Sequence, residues 1–144
     1  MTDKEAAARD WLNRNEPRRD EIRSLELQLE EMRDRVNKSV GVPKDVVVQT
    51  QPRNNQDERI AEIVDFEKKI IEKRHHFELL EQVTKDTIER MNNPTMRMIL
   101  IYRYLYRRSW RYIAEKMHYK EGYIFELHVK ALNAIYPLID WSAD

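Results

Sequence analysis

The sequence SWRYIAEKM at residues 109–117 is followed by HYK at 118–120 and by a second helical run, EGYIFELHVKALNAIY, at 121–136. Two short helices that cross at a steep angle need a small side chain at the crossing, and Ala114 provides one. The apolar spacing predicts six residues on the inner faces of the pair: Ile113, Ala114, Met117, Tyr119, Ile124 and Leu127. The stretch therefore predicts a helix-turn-helix, with Ser109 as the N-cap of its first helix.

The same spacing predicts an outward side on the second helix, where a DNA-binding version of the motif places its base-reading residues. This side is predicted to carry Lys120, Glu121, Gly122, Phe125, Glu126 and Val129. A glutamate accepts a hydrogen bond from cytosine N4, and a phenylalanine contacts a thymine methyl group. We therefore predict base contacts by Lys120, Glu121, Phe125 and Glu126. Gly122 is included in the predicted interface because a glycine lets the backbone approach DNA closely. Its neighbour Tyr123 is included as well.

Charge is distributed unevenly along the chain. The whole sequence has 26 basic and 26 acidic side chains, but residues 95–136 have eight basic and three acidic ones, a net charge of +5. Basic side chains that contact phosphates supply most of the non-specific affinity for DNA. Such contacts are predicted for Arg107, Arg108, Arg111, Lys116, Lys120 and Lys130. The alternative is that these side chains are solvated or pair with Glu115, Glu121 and Glu126.

The N-terminal part of the chain predicts a helical arm. Thr2 and Glu5 form a capping box for a short helix that ends near Leu12. Residues 17–38 then carry a heptad seam of Ile22, Leu25, Leu29, Met32 and Val36, which needs a partner helix. A linker is predicted at 39–56, with a short extended piece at 46–48, and apolar periodicity resumes at Ile60 in a helix of about 35 residues that ends before Pro94. Two long helices joined by a loop predict an antiparallel hairpin.

Asn92-Asn93-Pro94 is a helix stop followed by a start, because asparagine caps a helix and proline suits the first turn of the next; a further helix is therefore predicted from Thr95 to Arg107. Its aromatic residues and those that follow have helical spacing, which favours core packing over stacking on single-stranded nucleic acid. They are Tyr102, Tyr104, Tyr106, Trp110, Tyr112 and Tyr136. The predicted domains are residues 1–91, with the arm, residues 94–138, with the helix-turn-helix, and a tail at 139–144.

Composition narrows the class of protein. Charged residues make up 36% of the chain and glycines number two, which is typical of long solvated helices, so an all-α fold is predicted. The chain has no cysteine and no apolar run of the ~18 residues that a membrane span needs, and we expect a cytoplasmic protein that binds no membrane. His75 and His76 point to different sides of a helix, so no metal site is expected. No catalytic motif is visible, and neither an enzyme nor a cofactor is expected.

The order of these elements resembles the ArpU/RinA-type phage and prophage transcriptional regulators over nearly the whole chain. The resemblance is carried by residues 101–105 (IYRYL), by the Trp110-x-x-Ile113-Ala114-Glu115 string and by the Leu127-His128-x-x-Ala131-Leu132 string. It implies a C-terminal domain similar to region four of bacterial sigma factors, with a wingless helix-turn-helix that inserts its second helix into the major groove. His118 stands where these proteins commonly have glycine, and Lys120 stands where serine or threonine commonly caps the second helix.

Two functions follow from these patterns. The first is a regulator of late phage genes in the bacterial cytoplasm that binds double-stranded promoter DNA, while its arm forms a homodimer or contacts the host RNA polymerase. The second is a protein-protein interaction module, for a repressor, polymerase or packaging partner, with little or no specific DNA binding. The outward glutamates and the neutral whole-chain charge favour the second function.

Overall fold

A computed structural model describes residues 1–40 and 53–142 of the chain. In these ranges all regular secondary structure is helical and there is no strand, which confirms the predicted all-α fold. The helices are α1 (Asp3–Leu12), α2 (Glu16–Val40), α3 (Arg53–Glu89), α4 (Pro94–Leu100), α5 (Trp110–Met117) and α6 (Glu121–Ile135). A π-helical segment, Ile101–Leu105, continues α4, and a 3₁₀ turn, Tyr136–Leu138, follows α6.

Three helix starts form as the local sequence predicts. Thr2 and Glu5 make both bonds of a capping box at the start of α1. The Asn93 side chain accepts hydrogen bonds from the N–H groups of the first turn of α4, in which Pro94 is tolerated. The Ser109 hydroxyl accepts from the N–H of Tyr112 at 3.1 Å, as expected for the N-cap of α5.

The chain forms two compact units whose boundaries differ from the predicted domains. One unit combines Met1–Glu16 with Glu78–Asp144, and we call it the split unit; the other is Pro17–Phe77. The prediction assigned α1 to the arm, but Ala8 and Leu12 are buried in the same apolar cluster as Leu132 and Ile135 of α6. Burial of this apolar face stabilises α1 against α6. The predicted tail is also wrong at its first residue, because Ile139 is buried in this cluster.

The Pro17–Phe77 unit is an antiparallel pair of helices, as predicted. Leu25 and Leu29 of α2 are buried against Ile70 of α3. Salt bridges join Glu21 to Lys73 and Arg33 to Glu67, each at 2.9 Å, so the two helices run in opposite directions. The seam residue Ile22 is also buried, whereas Met32 and Val36 are partly buried.

The predicted linker 39–56 is too long at both ends, because α2 continues to Val40 and α3 begins at Arg53. Polar residues at 54–56 do not prevent a helix whose stability comes from its later apolar turns. The predicted extended piece at 46–48 lies outside the described residues. The end of α3 at Glu89, before Pro94, agrees with the sequence prediction.

The helix predicted to run from Thr95 to Arg107 ends earlier and changes its hydrogen bonding. After Leu100 the backbone widens into the π-helical segment, and the N–H of Tyr106 bonds to the carbonyl of Ile101, five residues earlier. Arg107 then adopts a left-handed backbone conformation with φ 56°. Such single-turn π segments are frequent next to functional sites, and this one lies directly before α5.

Candidate functional site

The pair α5–α6 is joined by the three-residue connection 118–120, at the predicted position. His118 adopts the left-handed conformation, with φ 62° and ψ 41°, and the N–H of Tyr119 bonds to the carbonyl of Ala114 at 3.0 Å. A non-glycine residue pays roughly 1 kcal/mol or more in this conformation. His118 therefore adopts the left-handed conformation that a glycine would adopt at this position, at the cost of backbone strain.

The inner faces of α5 and α6 contain five of the six predicted residues. Ile113, Ala114, Ile124 and Leu127 are buried, and Met117 packs against them with partial exposure. The prediction is wrong for Tyr119, whose side chain is 42% exposed and whose ring lies 5.0 Å from the ring of Tyr123. The helical spacing does not apply to Tyr119, because it follows the left-handed residue and belongs to the connection.

The outer face of α6 is exposed along its length, as predicted. The residues predicted there, Lys120, Glu121, Gly122, Phe125, Glu126 and Val129, are all solvent-exposed. Tyr123 is exposed as well. A Cβ atom added to Gly122 would meet nothing within 4 Å, so the glycine is not required by packing. In this structure the face is free to contact a partner.

Five cations in residues 108–130, within α5 and α6 or next to them in sequence, are exposed: Arg108, Arg111, Lys116, Lys120 and Lys130. The Arg108 guanidinium lies 4.8 Å from the centre of the Tyr112 ring, which orients it. Arg111 forms a salt bridge with Glu115 at 3.3 Å, but both side chains are more than two-thirds exposed. Solvent screens such a pair, so it contributes little to the stability of the fold.

Arg107 does not belong to this set, contrary to the sequence prediction. Its side chain is only 17% exposed, and its Nη1 donates to the Asn13 side-chain oxygen at 3.2 Å and lies 3.5 Å from a carboxylate oxygen of Glu16. The guanidinium thus joins the turn after α1 to the segment before α5. Its partners lie more than 90 residues away in sequence, so local charge counting cannot identify them.

The aromatic residues are mainly structural, as predicted, with one exception. Trp110 is partly buried, with ring centres 5.3 Å from Phe125 and 4.6 Å from His128. Tyr104 is buried. The prediction of core packing is wrong for Tyr106, which is 59% exposed, because it follows the π-helical segment and no longer has helical register.

A buried polar pair between the π-helical segment and α6 was not predicted. The Tyr104 hydroxyl and His128 Nε2 share a hydrogen bond of 2.6 Å. Burial lowers the pKa of His128 to about 4 and raises the pKa of Tyr104 to about 12, so both groups are neutral at pH 7. A polar residue on an otherwise apolar face of α6 is the only sequence signal of this pair, since its partner is 24 residues away.

The exposed face of α6 carries charged, aromatic and aliphatic side chains. Among residues 1–40 and 53–142, no group of three or more His, Asp or Glu side chains is arranged to hold a metal ion. None of the helices in those ranges has the length and apolar character required to cross a membrane. Comparisons of the sequence and structure with protein-family models, curated proteins and solved structures give no match.

Proposed function

We propose that this protein is a transcription regulator that binds duplex DNA with α5 and α6. The observation that carries the proposal is the exposed outer face of α6 together with five exposed cations in residues 108–130. A helix of this kind fits the major groove of B-DNA, and side chains on its outer face then meet the base edges. The flanking cations contact phosphates, which fix the orientation of the helix on the duplex.

The start of α6 supports this orientation. Lys120 occupies the N-cap position, and its side chain makes no hydrogen bond to the first turn. The first N–H groups of α6 are therefore not capped by that side chain, and they carry the positive end of the helix dipole. Together with the ammonium group of Lys120, they form a suitable contact for a backbone phosphate.

We further propose that the protein belongs with the ArpU/RinA-type phage and prophage regulators and acts on late genes. The order of its elements and the strings at 110–115 and 127–132 support this proposal. In this function the helical pair of the Pro17–Phe77 unit mediates dimerisation or contact with RNA polymerase. Exposed apolar side chains on α2 and α3 support such an interaction role.

Salt dependence of DNA binding tests the proposal. Affinity for duplexes from the surrounding genome is measured by fluorescence anisotropy at several salt concentrations, with a scrambled duplex as competitor. If four or five phosphates are neutralised, log K falls with log salt with a slope of about −4. Arg111→Ala and Lys120→Ala should each weaken binding to all sequences and reduce the slope by about 1. Lys85→Ala, which removes an exposed cation of α3, is the matched control.

Unchanged DNA affinity in both the Arg111 and Lys120 variants would contradict the assigned binding face. A specific observation then favours the second function, a protein-binding module. The exposed face of α6 includes the apolar side chains of Tyr123, Phe125 and Val129 and the acidic side chains of Glu121 and Glu126. Acidic side chains repel phosphates and suit a basic protein partner, whose binding would depend less steeply on salt.

A further inference from the structure

A cleft of about 470 Å³ opens within the split unit, beside α6. Its volume is in the range of ligand-binding pockets, roughly 300–1,000 Å³. Its charged lining side chains are those of Arg9 in α1, Glu16 at the start of α2, Arg103 in the π-helical segment, and Arg107. Phe125, on the exposed face of α6, lines the cleft as well, so the cleft adjoins the proposed DNA-binding face.

The cleft carries excess positive charge. Its three guanidinium groups face one carboxylate, that of Glu16, which pairs with Arg107 at 3.5 Å. Arg9 interacts with Asp10 at 3.4 Å, but this pair is largely exposed and therefore weak. His128 also lines the cleft; burial lowers its pKa, and the charges of Arg103 and Arg9 lower it further. The cleft therefore suits an anion.

Arg103 is held in a defined orientation. Its guanidinium lies 4.4 Å from the centre of the Trp110 ring, and its Nη1 donates to the carbonyl of Arg108 at 3.1 Å. An arginine has five N–H donors, and the bond to Arg108 uses one of them. A side chain that is already oriented loses less rotamer entropy when it binds a ligand.

We propose that this cleft binds a phosphate group, with Arg9 and Arg103 as the contacting side chains. Guanidinium groups match the geometry of phosphate oxygens and bind them with paired, charge-assisted hydrogen bonds. The phosphate belongs either to the backbone of a bound duplex or to a free ligand. Binding of a DNA-backbone phosphate rests on the proposed function, since Phe125 links the cleft to the proposed DNA-binding face. Binding of the phosphate of a free ligand does not depend on that function.

Inorganic phosphate is the first probe, and it requires no DNA. The full chain, labelled with ¹⁵N, is titrated with sodium phosphate while sodium chloride keeps the ionic strength constant. We expect saturable NMR shifts of the Nε–H signals of Arg9 and Arg103 and of the Trp110 indole N–H. Arg9→Ala should weaken this binding by about tenfold, the effect of one lost charge-assisted contact. Arg23→Ala, at an exposed position outside the cleft, should bind as the wild type does.

Duplex DNA is the second probe and identifies the source of the phosphate. If the cleft takes a backbone phosphate, Arg9→Ala should reduce the salt slope of DNA binding by about 1, while Arg23→Ala should leave it unchanged. A wild-type slope for Arg9→Ala, together with saturable inorganic phosphate binding, would support the site with a free ligand as its source. Phosphate binding by a protein that does not bind DNA would contradict the proposed function and support the cleft.

The proposal is overturned if phosphate produces no saturable shift and Arg9→Ala binds DNA with the wild-type slope. It is also overturned if Arg23→Ala loses as much phosphate affinity as Arg9→Ala, because the binding would then follow total charge. Thermal unfolding of both variants shows that each remains folded during the titrations. Arg9 is more suitable than Arg103 for substitution, because Arg103 also packs on Trp110.

Discussion

Arg107 shows how one side chain connects distant parts of the sequence within the split unit. Its backbone is left-handed, which costs a non-glycine residue of the order of 1 kcal/mol. The same conformation directs the guanidinium to Asn13 and Glu16, and the charge-assisted bonds offset that cost. Arg107 therefore positions the start of α5 relative to α1. Its neighbour Arg108 is exposed, so adjacent arginines have different roles.

Gly122 provides a residue-scale test of whether the backbone of α6 approaches a ligand. Its φ is not positive, and a Cβ atom there would lie in open space. We expect Gly122→Ala to stabilise the fold by about 0.5–1 kcal/mol, because alanine loses less backbone entropy in a helix. Urea unfolding measures this change. Ala134→Gly, at an exposed position of the same helix, is the matched reverse substitution and should destabilise by a similar amount.

DNA binding by Gly122→Ala then separates stability from contact. A more stable variant with lower DNA affinity would indicate that the backbone at Gly122 lies close to DNA. Unaltered affinity would assign no contact to this position. A loss of stability would contradict the structure, because it requires a steric clash that the open surroundings of Gly122 do not contain.

His128 makes stability depend on pH in a defined window. Its pKa is about 4 in the folded state and 6.5 ordinarily, so between these values the unfolded chain binds more protons. Stability is therefore complete above pH 6.5 and declines as the pH falls towards 4, by roughly 2–4 kcal/mol at 1.36 kcal/mol per pKa unit. The glutamine side chain of the His128→Gln variant does not titrate in this range. The free energy of unfolding of the variant should therefore fall less than that of the wild type as the pH is lowered.

Unfolding by urea at pH 7.5, 6.0, 5.0 and 4.5 measures this difference. The comparison must be between the two proteins, because Glu5 also titrates in acid: its hydrogen bonds to Thr2 lower its pKa, and their contribution is lost as the pH falls. Both proteins share that loss. Parallel pH profiles for the wild type and His128→Gln would show that burial of the histidine does not control the dependence.

At the scale of elements, the sequence predicts what is local and fails where partners are distant. The caps at Thr2, Asn93 and Ser109 depend on residues within three positions, and all form as predicted. The packing of α1 on α6 was not predicted, because the apolar residues of α1 do not specify which helix they contact. The exposed face of α6 was predicted from helical periodicity. The position of Arg9 in the cleft was not predicted, because it depends on the packing of α1 on α6.

The helical pair α2–α3 should depend on its seam and tolerate changes outside it. Leu29 is 9% exposed and packs near Leu25 and Ile70, whereas Leu27, on the same helix, is 58% exposed. Leu29→Asp buries a charge among apolar side chains and should destabilise the pair by about 3 kcal/mol or more. Leu27→Asp is the matched control and should change stability by about 0.5 kcal/mol or less.

Amide hydrogen exchange in the full chain measures where the loss occurs. In Leu29→Asp, protection should fall in residues 17–38 and 57–77 and persist in α5 and α6, because those helices have their own buried cluster around Ile113 and Ile124. Loss of protection throughout the chain would mean that the two units unfold as one. Equal effects of the two substitutions would contradict the assignment of the seam.

At the scale of the whole molecule, exposed apolar side chains on α3 support dimerisation. Val64 and Ile71 are seven residues apart, so they share a face of the helix, and Ile60 lies one turn before Val64. Ile71 is 63% exposed. A second copy of the chain would remove these side chains from water, which is favourable by about 25 cal/mol per Å² of apolar surface. We therefore expect the wild type to be a dimer at micromolar concentrations in sedimentation velocity.

Ile71→Glu combined with Val64→Glu should convert this dimer to a monomer with unchanged helix content, because neither side chain is buried within one chain. Lys69→Glu, at an exposed position on a different side of the same helix from Val64 and Ile71, tests whether the added charge alone has this effect. Under the proposed function, we expect a two-fold dimer to bind two DNA half-sites about one helical turn, ~34 Å, apart. The double variant should therefore protect a single half-site in footprinting and bind the full site with lower affinity. A wild type that sediments as a 17.6 kDa monomer at every concentration would exclude this arrangement and leave the apolar face of α3 to a different partner.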